Sequence, residues 1–123
     1  LNRIHKLVIP RWHPCPLNKL IGVHWATKNR RVRIDRDMIC AYAYRAGIPV
    51  ATGPREVSIK ITLAPRKRGC DPDAYRKTVH DGLVAARLLI DDNRQFVREG
   101  RVEFDRGYQR GTVITLTDLY ECE

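Results

Sequence analysis

The run CDPDAYRKTVHDGLVAARLLIDDNRQF, residues 70–96, puts Asp71, Asp73, Asp81, Asp91 and Asp92 into a chain whose formal net charge is +9. Carboxylate oxygens are hard ligands, suited to a divalent cation such as Mg2+. A cation held by a few of them stabilises charge on phosphoryl oxygens and activates a water for phosphodiester hydrolysis. Lys77, among these aspartates, could stabilise the transition state or the leaving oxygen. An anionic pocket within a phosphate-attracting surface repels nucleic acid unless a cation fills it. Structural roles compete at each position. Asp71 before Pro72 makes a good helix N-cap, and Asp73 favours the positive end of the helix dipole. Asp91, Asp92 and Asn93 suit a turn. Asp73, Lys77 and Asp81 stand at i, i+4 and i+8, one helical face on which the lysine could serve as a solvated ion-pair partner.

HKLVIP reads as a short first strand, ended by Pro10 and the turn-rich RWHPCPLN, where Pro14 and Pro16 also forbid continued regular structure. From about Val32 to Ala46 apolar positions Ile34, Met38, Ala41 and Tyr42, with Arg45, recur at helical spacing, and Gly47 followed by Pro49 stops the helix. EVSIKITLA alternates Val57, Ile59 and Ile61 with Ser58, Lys60 and Thr62, the pattern of a half-buried strand. A second helix is expected over Asp73–Ala86, with Val79, Leu83 and Ala86 on one face. Two more strands follow at about Val97–Phe104 and Thr112–Thr117, joined by a hairpin loop over 105–111. The order β, α, β, α, β, β implies an α/β or α+β fold, a small mixed sheet of about four strands packed with two main helices, in a single domain over 1–123.

Charge is divided unevenly along the chain. Residues 1–70 balance to +12 and residues 71–123 to −3. Such a basic chain, with pI about 9.8, suits a polyanionic partner, because neutralised phosphates release condensed counterions. Two clusters are candidate DNA contacts: Arg66, Lys67 and Arg68 in the loop before Asp71, and Lys28, Arg30, Arg31 and Arg33 ahead of the first helix. With so few aromatic residues, backbone contact with a duplex is favoured over a stacking platform for single strands. There is no apolar run of membrane-spanning length and no signal-peptide segment in LNRIHKLVIP. Cys15, Cys40, Cys70 and Cys122 form no CxxC pair, so reduced thiols and a cytoplasmic location are expected.

The run Asp71-Pro-Asp73-Ala-Tyr-Arg-Lys77-Thr-Val-His-Asp81-Gly-Leu, followed by Asp91-Asp92, resembles the RusA family of Holliday junction resolvases, whose signature is roughly D-x-D-N-x-x-K-x-x-x-D-x-L and then a D-D pair. The likeness extends from about Val57 to Leu119, and more weakly to PCPLN at 14–18. It implies a RusA-like fold and a small Mg2+-dependent endonuclease, with Mn2+ as a substitute ion, that acts as a homodimer and cuts two opposed strands of a four-way DNA junction in recombination and repair. It also implies metal ligation by Asp71, Asp73 and Asp92, catalysis by these with Lys77, and supporting positions at Asp81 and Asp91. Ala74 departs from the family's asparagine, removing an amide that could orient a carboxylate or water. The alternative is a non-catalytic, structure-selective DNA-binding protein that keeps the family surface without the activity.

Overall fold

In the computed structural model, residues 3–16, 22–65 and 72–119 are described. The elements are β1 (Ile4–Pro10), α1 (Trp25–Ala46), β2 (Arg55–Leu63), α2 (Pro72–Ala85), β3 (Val97–Arg106) and β4 (Gly111–Asp118). The four strands form one mixed sheet in the order β1-β4-β2-β3. β2 and β3 run parallel, connected through α2, while β4 is antiparallel to both of its neighbours. The mixed α+β architecture anticipated from the element order is therefore present.

One face of the sheet carries the core. Alternate residues Val57, Ile59, Ile61 and Leu63 of β2 are buried, together with Ile114 and Leu116 of β4 and Leu7 and Ile9 of β1. Val79 and Leu83 of α2 and Ile39 and Ala43 of α1 pack over them in a continuous cluster. Gly82 permits the close approach of the helices, since a Cβ there would run into the Ile39 side chain.

Two expectations need correction. The segment 105–111 is not a hairpin loop, because β2 lies between β3 and β4. The connection crosses the end of β2, where the Gly107 amide donates to the Leu63 carbonyl at 3.0 Å. The reason is compositional. β3 carries Arg98, Glu99, Arg101, Glu103, Asp105 and Arg106 and suits an edge, whereas β4 brings Thr112, Ile114 and Leu116 to a buried face and suits the interior. Secondly, α1 begins at Trp25 rather than near Val32, so Lys28, Arg30, Arg31 and Arg33 lie within the helix and not ahead of it. The His24 side chain caps it by accepting from the Ala26 amide at 3.2 Å. Residues 25–30 are exposed all round and thus carry no apolar periodicity. The buried stripe of α1 is Asp35, Ile39 and Ala43, flanked by half-buried Met38 and Tyr42, while Ile34 is exposed. Gly47, in the left-handed conformation at φ 64°, ends the helix as expected.

Candidate functional site

α2 opens on Pro72, where a missing N–H costs nothing. Its spacing sets Asp73, Lys77, His80 and Asp81 along one face. After the helix, Leu88 and Leu89 are both buried and draw the chain back against α2. That return delivers Asp92 to the helix. Asp92 Oδ2 accepts from Lys77 Nζ at 3.1 Å, and Oδ1 lies 2.9 Å from His80 Nδ1. An ionised carboxylate only accepts, so His80 Nδ1 carries the proton in this pair. Lys77 also reaches Asp81 Oδ1 at 3.0 Å. One ammonium thus stands between two carboxylates, of which one comes from its own helix and one from fifteen residues along the chain.

The electrostatics follow from that arrangement. Partial burial pushes the Asp92 carboxyl up, but the hydrogen bonds from Lys77 and His80 outweigh it and hold the group below the ordinary carboxylate range. Hydrogen bonds to Asp81 and then Asp92 raise Lys77, so it is a cation throughout the physiological range. Asp91 is exposed and builds the turn that presents Asp92: its Oδ1 accepts from the Asp92 amide at 2.7 Å and its Oδ2 from the Asn93 side chain at 3.2 Å.

Asp73 is held differently. Its Oδ1 accepts from Arg76 at 2.9 Å, and the same guanidinium donates to Glu99 at 3.0 Å and to the Gly100 carbonyl at 2.9 Å. Gly100 lies where the β2–β3 register shifts, between the pairs Val57↔Glu99 and Ile59↔Val102, so that β3 bulges by one residue. A Cβ on Gly100 would meet the Val57 carbonyl at 2.7 Å, which explains a glycine there. Arg76 therefore ties α2 to the bulge of the edge strand and draws the Asp73 carboxylate towards itself, whereas Lys77 takes Asp92.

His80 and Asp92 open onto a cleft of about 640 Å³, further lined by Asn93, Arg94, Arg98 and Glu99 and by apolar Val97 and Leu119. The cleft thus mixes carboxylates with arginines able to meet phosphate oxygens. Arg76, His80, Arg94, Arg98 and Glu99 were not singled out from sequence. His80 had a signal, standing seven residues after Asp73 on the same face. The arginines and Glu99 had none, because only the strand order and the bulge bring them there.

Of the basic residues, Lys28, Arg30 and Arg33 are exposed on α1. Arg31 is half-buried and faces inward, 3.4 Å from the buried carboxylate of Asp35 and 3.4 Å from the His13 carbonyl. Asp35 is a hub that also accepts from the Trp12 indole and the Cys15 amide, each at 3.1 Å. With Thr78 donating to the Cys15 carbonyl at 2.7 Å, it fixes the proline-rich segment against both helices. Asp71, Arg66, Lys67 and Arg68 lie outside the described residues. Cys40 is a free thiol, and no helix among the described residues is long and apolar enough to cross a membrane.

Among the described residues no group of three or more His, Cys, Asp and Glu side chains is placed to hold a metal ion. Asp73 and Asp92 offer hard oxygen donors of the kind Mg2+ takes, and each is paired with a cation. Comparison with protein-family models and with curated proteins found no match.

Proposed function

We propose that this chain is a metal-dependent endodeoxyribonuclease that resolves four-way DNA junctions as a homodimer, serving DNA recombination and repair. The observation that carries the reading is the meeting at 3.1 Å of Lys77 with Asp92, two positions the RusA-like motif pairs across fifteen residues, where Asp92 lines an open cleft. Asp71, Asp73 and Asp92 would hold Mg2+, or Mn2+ in its place, which when bound supplies charge stabilisation at the phosphoryl oxygens and an activated water. Lys77 then offers its ammonium to the phosphoryl or leaving oxygen, with Asp81 positioning it from one turn further along α2. His80 fixes the Asp92 carboxylate from its buried side. Arg94 and Arg98 in the cleft, and Lys28, Arg30 and Arg33 on α1, meet the phosphate backbone. Two incisions on opposed strands need two sites about a two-fold axis, which a symmetric dimer provides.

One observation favours the second reading, a non-catalytic binder of branched DNA. Asp73 and Asp92 are both neutralised by cations of the chain itself, Arg76 and Lys77. The cluster is electrostatically satisfied without a metal ion. Incubating the protein with an end-labelled four-way junction, with and without Mg2+, separates the two. Metal-dependent incision at symmetric positions supports the nuclease, while salt-sensitive binding without incision selects the binder.

A further inference from the structure

The N-terminal end of α1 is built unlike the rest of the molecule. Residues 25–30 are exposed on every side, and Trp25, at the helix start, is 70% exposed. The other tryptophan, Trp12, is 7% exposed and has its indole N–H bonded to Asp35. The His24 ring lies beside the Trp25 ring, centroids 5.7 Å apart and tilted by 32°, so two aromatic surfaces stand together in solvent. Lys28, Arg30 and Arg33 follow within the next turns, all exposed, and the first turn contains no acidic residue. Lys28 closes the first turn, where a cation opposes the helix dipole and an anionic partner would relieve it.

The aromatic end also shares a helix face with residues that border the candidate site. Trp25, Val32 and Arg36 stand at i, i+7 and i+11 and share a helix face. Val32 and Arg36 line a groove of about 300 Å³ between the helices together with Thr78 and Asp81, the latter being the second carboxylate on Lys77. By helical rise, Trp25 lies roughly 16 Å along α1 from Arg36. DNA entering the site along this helix would carry its neighbouring nucleotides to the exposed indole.

We infer that Trp25, supported by His24, is a stacking contact for a base that leaves the helical stack at a DNA branch point, with Lys28 and Arg33 on the flanking faces holding the adjoining phosphates. This inference rests on the proposed action on branched DNA and adds a residue that distinguishes branched from plain duplex. Continuous duplex keeps its bases stacked and presents only phosphates to the same surface. Every base has a π-face, so the contact reads unstacking rather than sequence.

The test is equilibrium binding in EDTA of the wild type, Trp25→Ala and Trp25→Phe to a four-way junction and to a plain duplex of equal length, with the oligomeric state of each protein measured alongside. Trp25→Ala should weaken junction binding about 5- to 100-fold, the range for loss of one stacked base, and leave duplex binding within about 2-fold. Trp25→Phe should retain most of the junction affinity. Equal losses on both DNAs, no loss on either, or conversion of a dimer into a monomer by Trp25→Ala would overturn the inference. A wild type that prefers the junction, with a Trp25→Ala variant that keeps the preference, defeats the stacking role alone. A wild type that binds neither DNA defeats the function reading, and this inference with it.

Discussion

Asp92 and Asp118 are built from the same ingredients: each carboxylate accepts from one permanent cation and one histidine. Asp118, at the end of β4, takes Arg55 Nε at 2.6 Å and His5 Nε2 at 3.2 Å. Asp92, after α2, takes Lys77 at 3.1 Å and His80 at 2.9 Å. Their surroundings differ in two respects. Arg55 is buried, and its second arm donates to the Leu88 carbonyl at 3.0 Å, so the cation joins β2, β4 and the segment after α2. Arg55 and Asp118 are moreover cross-strand partners in the sheet register. Lys77 is half-exposed and stands between two carboxylates, Asp81 and Asp92, the latter lining an open cleft. The first centre is a closed clamp. The second faces solvent, with a single half-exposed cation shared by two carboxylates, the conditions under which a charged group can exchange partners for a substrate.

The sharpest way to break this contrast is to remove one member of each centre. Lys77→Ala and Asp92→Asn should each lower the rate of junction cleavage by about 100-fold or more, because an electrostatic contact made in the transition state is worth a few kcal/mol. Thermal stability of Lys77→Ala should change by less than about 1 kcal/mol, since Lys77 is half-exposed. Arg55→Met should do the reverse. Leaving Asp118 without its buried partner should cost about 3 kcal/mol, the low end for a broken buried pair because Asp118 keeps some contact with water. Cleavage per folded molecule should be unaffected, and urea unfolding alongside a cleavage assay reads both quantities.

A smaller effect separates long-range attraction from either centre. Replacing Lys28, Arg30 and Arg33 together by Ala should flatten the slope of log affinity against log salt by roughly 2 to 3 units on duplex DNA. An unchanged slope would show these cations to be a solvated helix end. Smallest is the pH dependence of stability. In Asp118, burial raises the pKa but the Arg55 and His5 hydrogen bonds outweigh it, so the group titrates below its ordinary 3.8. Asp92 is lowered in the same sense. A carboxylate with a depressed folded pKa contributes stability that is present above the unfolded value and lost as pH falls through the folded one. Stability should therefore hold above about pH 5 and decline below pH 4. Arg55→Met should flatten that decline more than Lys77→Ala, as followed by melting temperature against pH.

The sequence made the local part of this arrangement readable and hid the part that depends on strand order. Asp73, Lys77 and Asp81 lie on one helix, so the 3.6-residue period alone aligns them, and Pro72 marks where the helix starts. The alternation in β2 and β4 and the stop at Gly47 were likewise local signals. The β3–β4 connection misled because turn-rich residues between two strands look the same whether the strands pair or a third lies between them. The charge on β3 was the clue to its edge position. Arg76 could not be connected to Asp73, Glu99 and Gly100, since the bulge that exposes the Gly100 carbonyl exists only once β2 and β3 are in register. Asp35 was hidden for a related reason: an acidic residue in a basic helix gives no sign of burial until Trp12 and the Cys15 amide fold onto it.

Hydrolysis of branched DNA at the site of Lys77 and Asp92 is the central claim. The direct measurement compares cleavage of a four-way junction, a three-way junction, a flap and plain duplex, side by side in Mg2+, by the wild type and Asp92→Asn. Paired, symmetric incision of the four-way junction well ahead of the other substrates, abolished in Asp92→Asn while the fold and DNA binding persist, is the predicted result. Equal rates on all four substrates would contradict junction resolution, and full activity in Asp92→Asn would reduce this carboxylate to a second structural clamp like Asp118.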